Sequence, residues 1–563
     1  MILWQATARF RITSGLMGRR SRLRGLRAAS AALALGLALA PVTMVVQGGQ
    51  AVAAESSFAL TGFKTAVAEA ASGNRDLAAY YRARDFAPIW TGAGPEFTAR
   101  RAALLEAIRM MPVHGLPAHK YSVDDLVAQM GAAVSDRDLG LLDVELSQVL
   151  LEVGRDLQTG ILVPGDVDKE ILRVVPLRDA SQYLDGIAGA DPMEFIRSLP
   201  PHNAEYRRLL RAKIDMEQGL SAGGYGPQVQ ATKLEPGAQG RAVIQLRDRL
   251  VRMGYMAPRA VSGYDEVMVA AVRQFQDDSG IEVDGVVGPS TLAAINTSEE
   301  DRLKSILVAM ERERWLNRPR GERHIWVNLT DFHAKLIDHD EVVFETRSVI
   351  GANRDGRRSP EFSDVMEYMM INPTWNVPRS IAVKEYLPEL QKNPYAASQL
   401  NLIDSRGRVV PRDAVDFSQL TPSNFPFDLK EPPSQSNALG LVKFMFPNPN
   451  NIYLHDTPSK SLFNREVRAF SHGCIRLADP FDFAYALLSA QEADPKAFFQ
   501  AKLSTGRETQ VNLAQPLQVH LVYRTAFTDV RGKVHFRNDV YGRDARIWSA
   551  LEAEGVVLGQ GRS

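Results

Sequence analysis

From residue 57 to about 230, apolar residues recur at three- and four-residue intervals. In "RRAALLEAIRMMPVHGL" Leu104, Leu105, Ile108 and Met111 share one helical face, and Pro112 and Gly115 end it. "LLDVELSQVLLEVGRDL" repeats the pattern with Leu142, Leu146, Val149, Val153 and Leu157. The pattern predicts a helical domain over 57–230, whose Glu and Arg read as solvated faces. Residues 233–297 keep the helical period in shorter pieces. Val243, Leu246 and Leu250 form one stripe, Met268, Val272 and Phe275 a second, and Gly288-Pro289 opens a third helix. Gly237, Gly240, Gly254, Gly280 and Gly285 separate the pieces, which predicts a small three-helix module.

From residue 322 the period falls to two. Ile325, Val327 and Leu329 alternate with polar residues, "DHDE" breaks the run, and Val342 and Phe344 resume it, as in a strand hairpin. Met366–Ile371, Gly440–Phe446 and Asn451–Asp456 read as further strands. The fold class is therefore α+β and multidomain, with a β-rich domain over 322–505 and a C-terminal extension over 506–563. An insertion at 377–436 interrupts the strands. It has helical patches at Glu385–Gln391 and Pro394–Leu400 and eight prolines from Pro378 to Pro433. A proline-rich insertion beside a catalytic strand suggests a lid.

Composition changes the picture in two places. Hydrophobic content of 45% and charged content of 23% leave room for a sizeable core. The formal charge of zero hides an asymmetry. Residues 1–53 carry seven Arg and no acid, which leaves 59 basic against 66 acidic residues beyond them. A mildly acidic body argues against a nucleic-acid binder. In 1–53, the arginines precede the apolar run Ala28–Val46 and the small-residue pattern Ala51–Ala53. This reads as an export signal, or as an uncut anchor, and both place the rest outside the cytoplasm.

An exported chain with one cysteine holds no internal disulfide, so Cys474 raises a question of its own. It sits in "RAFSHGCIRL" with polar neighbours Ser471, His472 and Arg476. A reactive cysteine needs a lowered pKa, a base and donors for an oxyanion. His455, at the end of "NIYLHD", lies nineteen residues upstream, a gap that fits a strand, an excursion and a return. Gly473 lets the chain turn so that amides around Cys474 converge. Arg476 favours thiolate and suits a substrate carboxylate. Two other readings stand beside nucleophilic catalysis: an inert buried thiol, and a zinc site formed by His455, His472 and Cys474.

"HD…AFSHGCIRL" resembles the signature of the L,D-transpeptidase (YkuD-type) catalytic domain, with His455, a spacer, then Ser471, His472, Gly473, Cys474, Ile475 and Arg476. Residues 233–297 resemble a peptidoglycan-binding module through Leu234, Gly237, Gly240, Val243, Tyr264-Asp265, Phe275-Gln276, Asp284-Gly285 and Thr291-Leu292, with wall binding and plain scaffolding both open. The order signal, helical scaffold, binding module, catalytic domain with capping insertion is similar to the large Gram-negative subclass. The resemblance implies a periplasmic acyltransferase without metal or cofactor. Cys474 would attack a tetrapeptide stem at diaminopimelate, expel D-alanine, and pass the acyl group to the diaminopimelate amine of a second stem. His455 would be the base. The Gly473 and Cys474 amides and Tyr453 would hold the oxyanion, with Ser471 and His472 in support and Arg476 orienting loop or substrate. Acylation by carbapenem-type inhibitors is implied as well. Hydrolysis of the acyl-enzyme, transfer to another amine, and a non-catalytic wall-binding scaffold are the alternatives.

Overall fold

The computed structural model describes residues 61–559 apart from 118, 119 and 261. Residues 1–53, expected from sequence to act as an export signal or anchor, lie outside the described residues.

Helix Asp136–Thr159 is the spine of the helical domain. The Ser135 hydroxyl accepts the Asp138 N–H, and the Asp138 carboxylate accepts the Ser135 N–H, so its first turn is satisfied. The stripe Leu142, Leu146, Val149, Val153 and Leu157 is buried. Asp143, on the same helix, is fully buried too. Its carboxylate accepts the main-chain N–H groups of Ile89, Trp90 and Thr91 and the Tyr81 hydroxyl, which pins an extended loop to the spine. Charge on these helices is therefore not all solvated.

The small module has helices Arg241–Arg252, Glu266–Ser279 and Pro289–Asn296 around Val243, Leu246, Met268, Val272 and Phe275. Leu234 and Val287 exchange main-chain hydrogen bonds of 3.0 and 2.9 Å and tie the ends together. The buried Gln276 amide accepts the Gly285 N–H at 2.8 Å and donates to the Val286 carbonyl at 2.9 Å. Gly285 sits there at φ +75°, where a side chain would be strained.

Helix Glu299–Trp315 joins the parts. Its buried end, "ERERW", alternates acid and base. Glu311 accepts from the Leu162 N–H and Arg314; Glu313 pairs with Arg524 at 2.8 Å; Arg312 pairs with Glu361 and Asp544. Burying such charges is tolerated only when each is paired, and here the pairs reach the helical domain, the β-rich domain and the C-terminal helix Arg543–Ala553.

The β-rich domain is a closed barrel. Its strands are β1 (Arg323–Asn328), β2 (His333–Asp338), β3 (Glu341–Gly351), β4 (Phe362–Ile371), then, beyond the insertion, β8 (Val442–Met445), β9 (Leu454–His455), β10 (Ala469–Ser471), β11 (Ile475–Leu477) and β12 (Thr509–Val522). The ring runs β3–β11–β9–β8–β4–β12–β1–β2 and back to β3, with β10 added beside β3. "DHDE" is a two-residue turn with His339 and Asp340 both at positive φ, suited to the twist of a hairpin. Ile325, Val327, Phe444, Leu454, Ile475 and Leu477 fill the interior. The barrel does not stop at residue 505, because β12 pairs with both β1 and β4. Its register shifts between Asn512 and Leu517, around Pro516, and that break hides the strand from a period-two reading.

The insertion folds on its own core of Val377, Leu387, Leu390, Leu402, Phe417, Phe425 and Leu429. Three short strands frame it: β5 (Trp375–Asn376), β6 (Asn401–Ile403) and β7 (Asp428–Glu431), in the order β5–β7–β6. The first helical patch is present as Arg379–Ile381, Ala382–Tyr386 and Leu387–Lys392. The second, Pro394–Leu400, is not helical: it is a run of turns, with Ala397 at positive φ.

Candidate active site

Strand register assembles the site. β9 and β11 run parallel, with Leu454 opposite Ile475 and His455 opposite Arg476. Leu454 and Ile475 point into the barrel core, so Tyr453, His455, Cys474 and Arg476 share its outer face. β8 pairs antiparallel with β9 and sets Lys443 opposite His455, on that same face. Lys443, His455 and Arg476 thus form one row across three strands. Tyr453 and Cys474 form the next.

The Tyr453 main-chain N–H and hydroxyl lie beside Sγ and favour its thiolate form. Sγ also lies 3.4 Å from the Asn451 carbonyl. Burial pushes the Cys474 pKa up to about 11, against the pull of Tyr453, Arg476 and Lys443. The expectation of a lowered pKa is therefore corrected. Arg476 acts in the anticipated direction, but desolvation outweighs it.

His455 is 4% exposed. Burial, with Arg476 and then Lys443, lowers its pKa to about 3, while the Asp456 and Leu439 carbonyls oppose that fall. Nδ1 lies 2.5 Å from the Asp456 carbonyl. An N–H donated there leaves the Nε2 lone pair as the basic position. The pair at rest is thus a neutral thiol and a neutral imidazole.

The loop before Cys474 is locked from within. Gly473 has φ +114°, and a side chain there would press on Ile452. The Ser471 hydroxyl donates to the Cys474 carbonyl at 2.5 Å and accepts the Gly473 N–H at 3.2 Å. The Gly473 amide is therefore engaged and is not a free oxyanion donor, contrary to the sequence expectation. The Cys474 amide has no acceptor among the described residues. Ser359 accepts the Gly351 N–H at 2.9 Å and donates to the Gly473 carbonyl at 2.6 Å. Arg543, fully buried, donates to the Ser359 carbonyl at 2.9 Å. The C-terminal helix thereby braces the cysteine loop.

His472 faces the insertion. Its Nε2 lies 2.7 Å from Glu385 Oε1, and Arg357 Nη2 binds the same oxygen at 2.6 Å. Trp375, at the insertion's root, lies beside the Tyr453 hydroxyl and favours its ionised form, against the stronger effect of burial. His455, His472 and Cys474 do not bring donor atoms within 4.8 Å of one another, so they form no ligand set. Among the described residues that spacing is met by Asp331, His333 and Glu345, whose carboxylates already pair with Arg537 and Lys335. The sequence reading missed Ser359, Trp375, Glu385, Lys443 and Arg543. Of these only Lys443 left a signal, as a lone charge inside the strand "LVKFMF".

Comparisons with known proteins fit this layout. Residues 322–505 match the family described as "L,D-transpeptidase catalytic domain", residues 75–212 the "Scaffold domain", and residues 239–295 the "Putative peptidoglycan binding domain". A Haemophilus influenzae protein named "Putative L,D-transpeptidase" is 29% identical over 255 residues, covering 45% of this chain and 51% of its own length. The N-acetylmuramoyl-L-alanine amidase CwlL of Bacillus licheniformis is 39% identical over 74 residues, 12% of this chain and 21% of its own. The chain thus spans about half the length or less of these curated relatives. A crystal structure of the L,D-transpeptidase (residues 123–326) from Xylanimonas cellulosilytica covers 53% of this chain and 98% of its own at 16% identity; the TM-score is 0.16, too low to add to the fold described above. Residues 322–505 belong to the YkuD-type L,D-transpeptidase catalytic-domain family, carried in one chain with a scaffold domain and a peptidoglycan-binding domain.

Proposed function

We propose that the chain forms direct diaminopimelate-to-diaminopimelate cross-links in peptidoglycan through a thioester on Cys474. The observation that carries this reading is the shared barrel face of Tyr453, His455 and Cys474 within the matched catalytic domain.

His455 Nε2 takes the thiol proton as Sγ attacks the carbonyl carbon at the L-centre of diaminopimelate in a tetrapeptide stem. The oxyanion meets the Cys474 amide and the Tyr453 hydroxyl. The C–N bond breaks, D-alanine leaves with the proton from His455, and the thioester remains. The side-chain amine of diaminopimelate on a second stem attacks that thioester, its proton passes to His455, and the thiolate leaves and is reprotonated. One peptide bond is lost and one formed, so no external energy source enters. A resting neutral pair suits this route, because proton transfer accompanies attack instead of preceding it. The insertion roofs the face and keeps water from the thioester.

The reading includes export: residues 1–53 deliver the chain to the periplasm, where the stems are. There the small module holds it against the wall. Purified disaccharide-tetrapeptide is the test substrate. A dimer lacking one D-alanine supports transpeptidation; release of tripeptide alone replaces it with hydrolysis.

A further inference from the structure

Two cations flank His455 in its row, Lys443 on β8 and Arg476 on β11. Neither has a carboxylate at ion-pair distance among the described residues, and the buried Arg476 Nε has no hydrogen-bond partner. Glu508 bears on Lys443 from a distance, but its carboxylate is engaged by the Thr374 N–H at 3.0 Å. Lys443 is half-buried, and its Nζ lies 6.0 Å from the ring centroid of Tyr453, the residue beside the thiol. A half-buried cation without a counter-ion is costly. Two of them around a reactive thiol form a seat for an anion that arrives with the substrate.

We propose that Lys443, with Arg476, binds the terminal carboxylate of the leaving D-alanine and makes the site selective for donors that end in a free acid. The inference rests on the function proposed above. The chemistry favours this carboxylate over the stem's others. It lies two bonds beyond the scissile nitrogen, so it must sit beside the attacked carbonyl, whereas the carboxylate at diaminopimelate's far centre is a side chain's length away. A carboxylate placed between Lys443 and Arg476 lies over His455. The leaving nitrogen then comes beside the imidazole that protonates it. The bound anion also offsets the field of two cations on that ring, so the base strengthens when the correct donor is in place.

The test compares two donors, the stem tetrapeptide and the same peptide with its D-alanine carboxyl converted to the amide. The rate of Cys474 acylation is read by intact-protein mass. The unaltered enzyme should prefer the acid by roughly ten- to hundredfold, the scale of a charge-assisted contact. Lys443→Met should bring the acid-to-amide ratio close to one, and Lys443→Arg should restore most of it. Equal rates on acid and amide in the unaltered enzyme, which needs no variant to fold, overturn the proposal and leave the acyl-transfer chemistry standing. So does a Lys443→Met protein that keeps the full ratio. If neither peptide acylates Cys474, the proposal falls together with the function it rests on.

Discussion

The Glu385 carboxylate receives His472 Nε2 at 2.7 Å, and so clasps the capping insertion to the loop that carries Cys474. Arg357 holds the same carboxylate from the barrel side. The insertion has its own core, so the clasp joins two preformed bodies and is able to open without unfolding either. We expect Glu385→Ala to raise the ratio of hydrolysed tripeptide to cross-linked dimer, and His472→Ala to do the same. The double variant should add little beyond either single one, because both remove one contact. Product analysis by mass spectrometry checks this; an unchanged ratio in folded variants makes the insertion ornamental.

The two histidines should separate kinetically. His455 shares the barrel face with Cys474, while His472 is committed to Glu385. His455→Ala should lower acylation by about a hundredfold to ten-thousandfold, the usual worth of a general base. His472→Ala should lose far less. Acylation by a carbapenem, followed by intact-protein mass, gives both rates. A dead His472→Ala beside a normal His455→Ala reverses the assignment.

Ser359 offers a test of bracing at a distance from the thiol. Ser359→Ala leaves the Gly351 N–H and the Gly473 carbonyl without their buried partner. The expected cost to stability is about 1–3 kcal/mol. Acylation should fall as well, by about tenfold, if the loop shifts enough to cost roughly 1.4 kcal/mol at the transition state. Thermal unfolding and acylation rate are read together. A stability loss with an unchanged rate assigns Ser359 to folding alone.

Acidity should act on stability before it acts on the base. Burial holds His114, His455 and His520 each at about 3. In the unfolded chain they titrate near 6.5, so between about 6.5 and 3 the unfolded state binds more protons. Stability from these groups is complete above 6.5 and is lost progressively as pH falls towards 3. The Cys474 thiol, raised to about 11, contributes stability that is lost as pH climbs from about 9 to 11. The pH profile of kcat/KM for acylation should therefore show no rise through pH 6.5. A sigmoid centred there would place a protonated His455 in the resting site.

The barrel and the thiol were legible in different degrees. The helical stripes, the alternation at Ile325, Val327 and Leu329, and the Pro289 helix start are local signals, and local periodicity carries them. β12 was hidden because its register break at Pro516 destroys alternation, and its partners β1 and β4 lie more than a hundred residues away. Cys474 and His455 stood out as reactive types in a recurring pattern. The direction of the thiol's pKa did not, because desolvation depends on what the whole fold lays over a residue. Glu385 and Ser359 act through partners 87 and 114 residues distant, so nothing beside them marks their role.

Acyl transfer through Cys474 can be read from intact-protein mass after incubation with disaccharide-tetrapeptide. The unaltered protein should gain the mass of the disaccharide-tetrapeptide less D-alanine, the adduct should decay as dimer accumulates, and Cys474→Ala should show neither adduct nor dimer while remaining folded. Dimer formed by Cys474→Ala at the unaltered rate would contradict acyl transfer through this thiol.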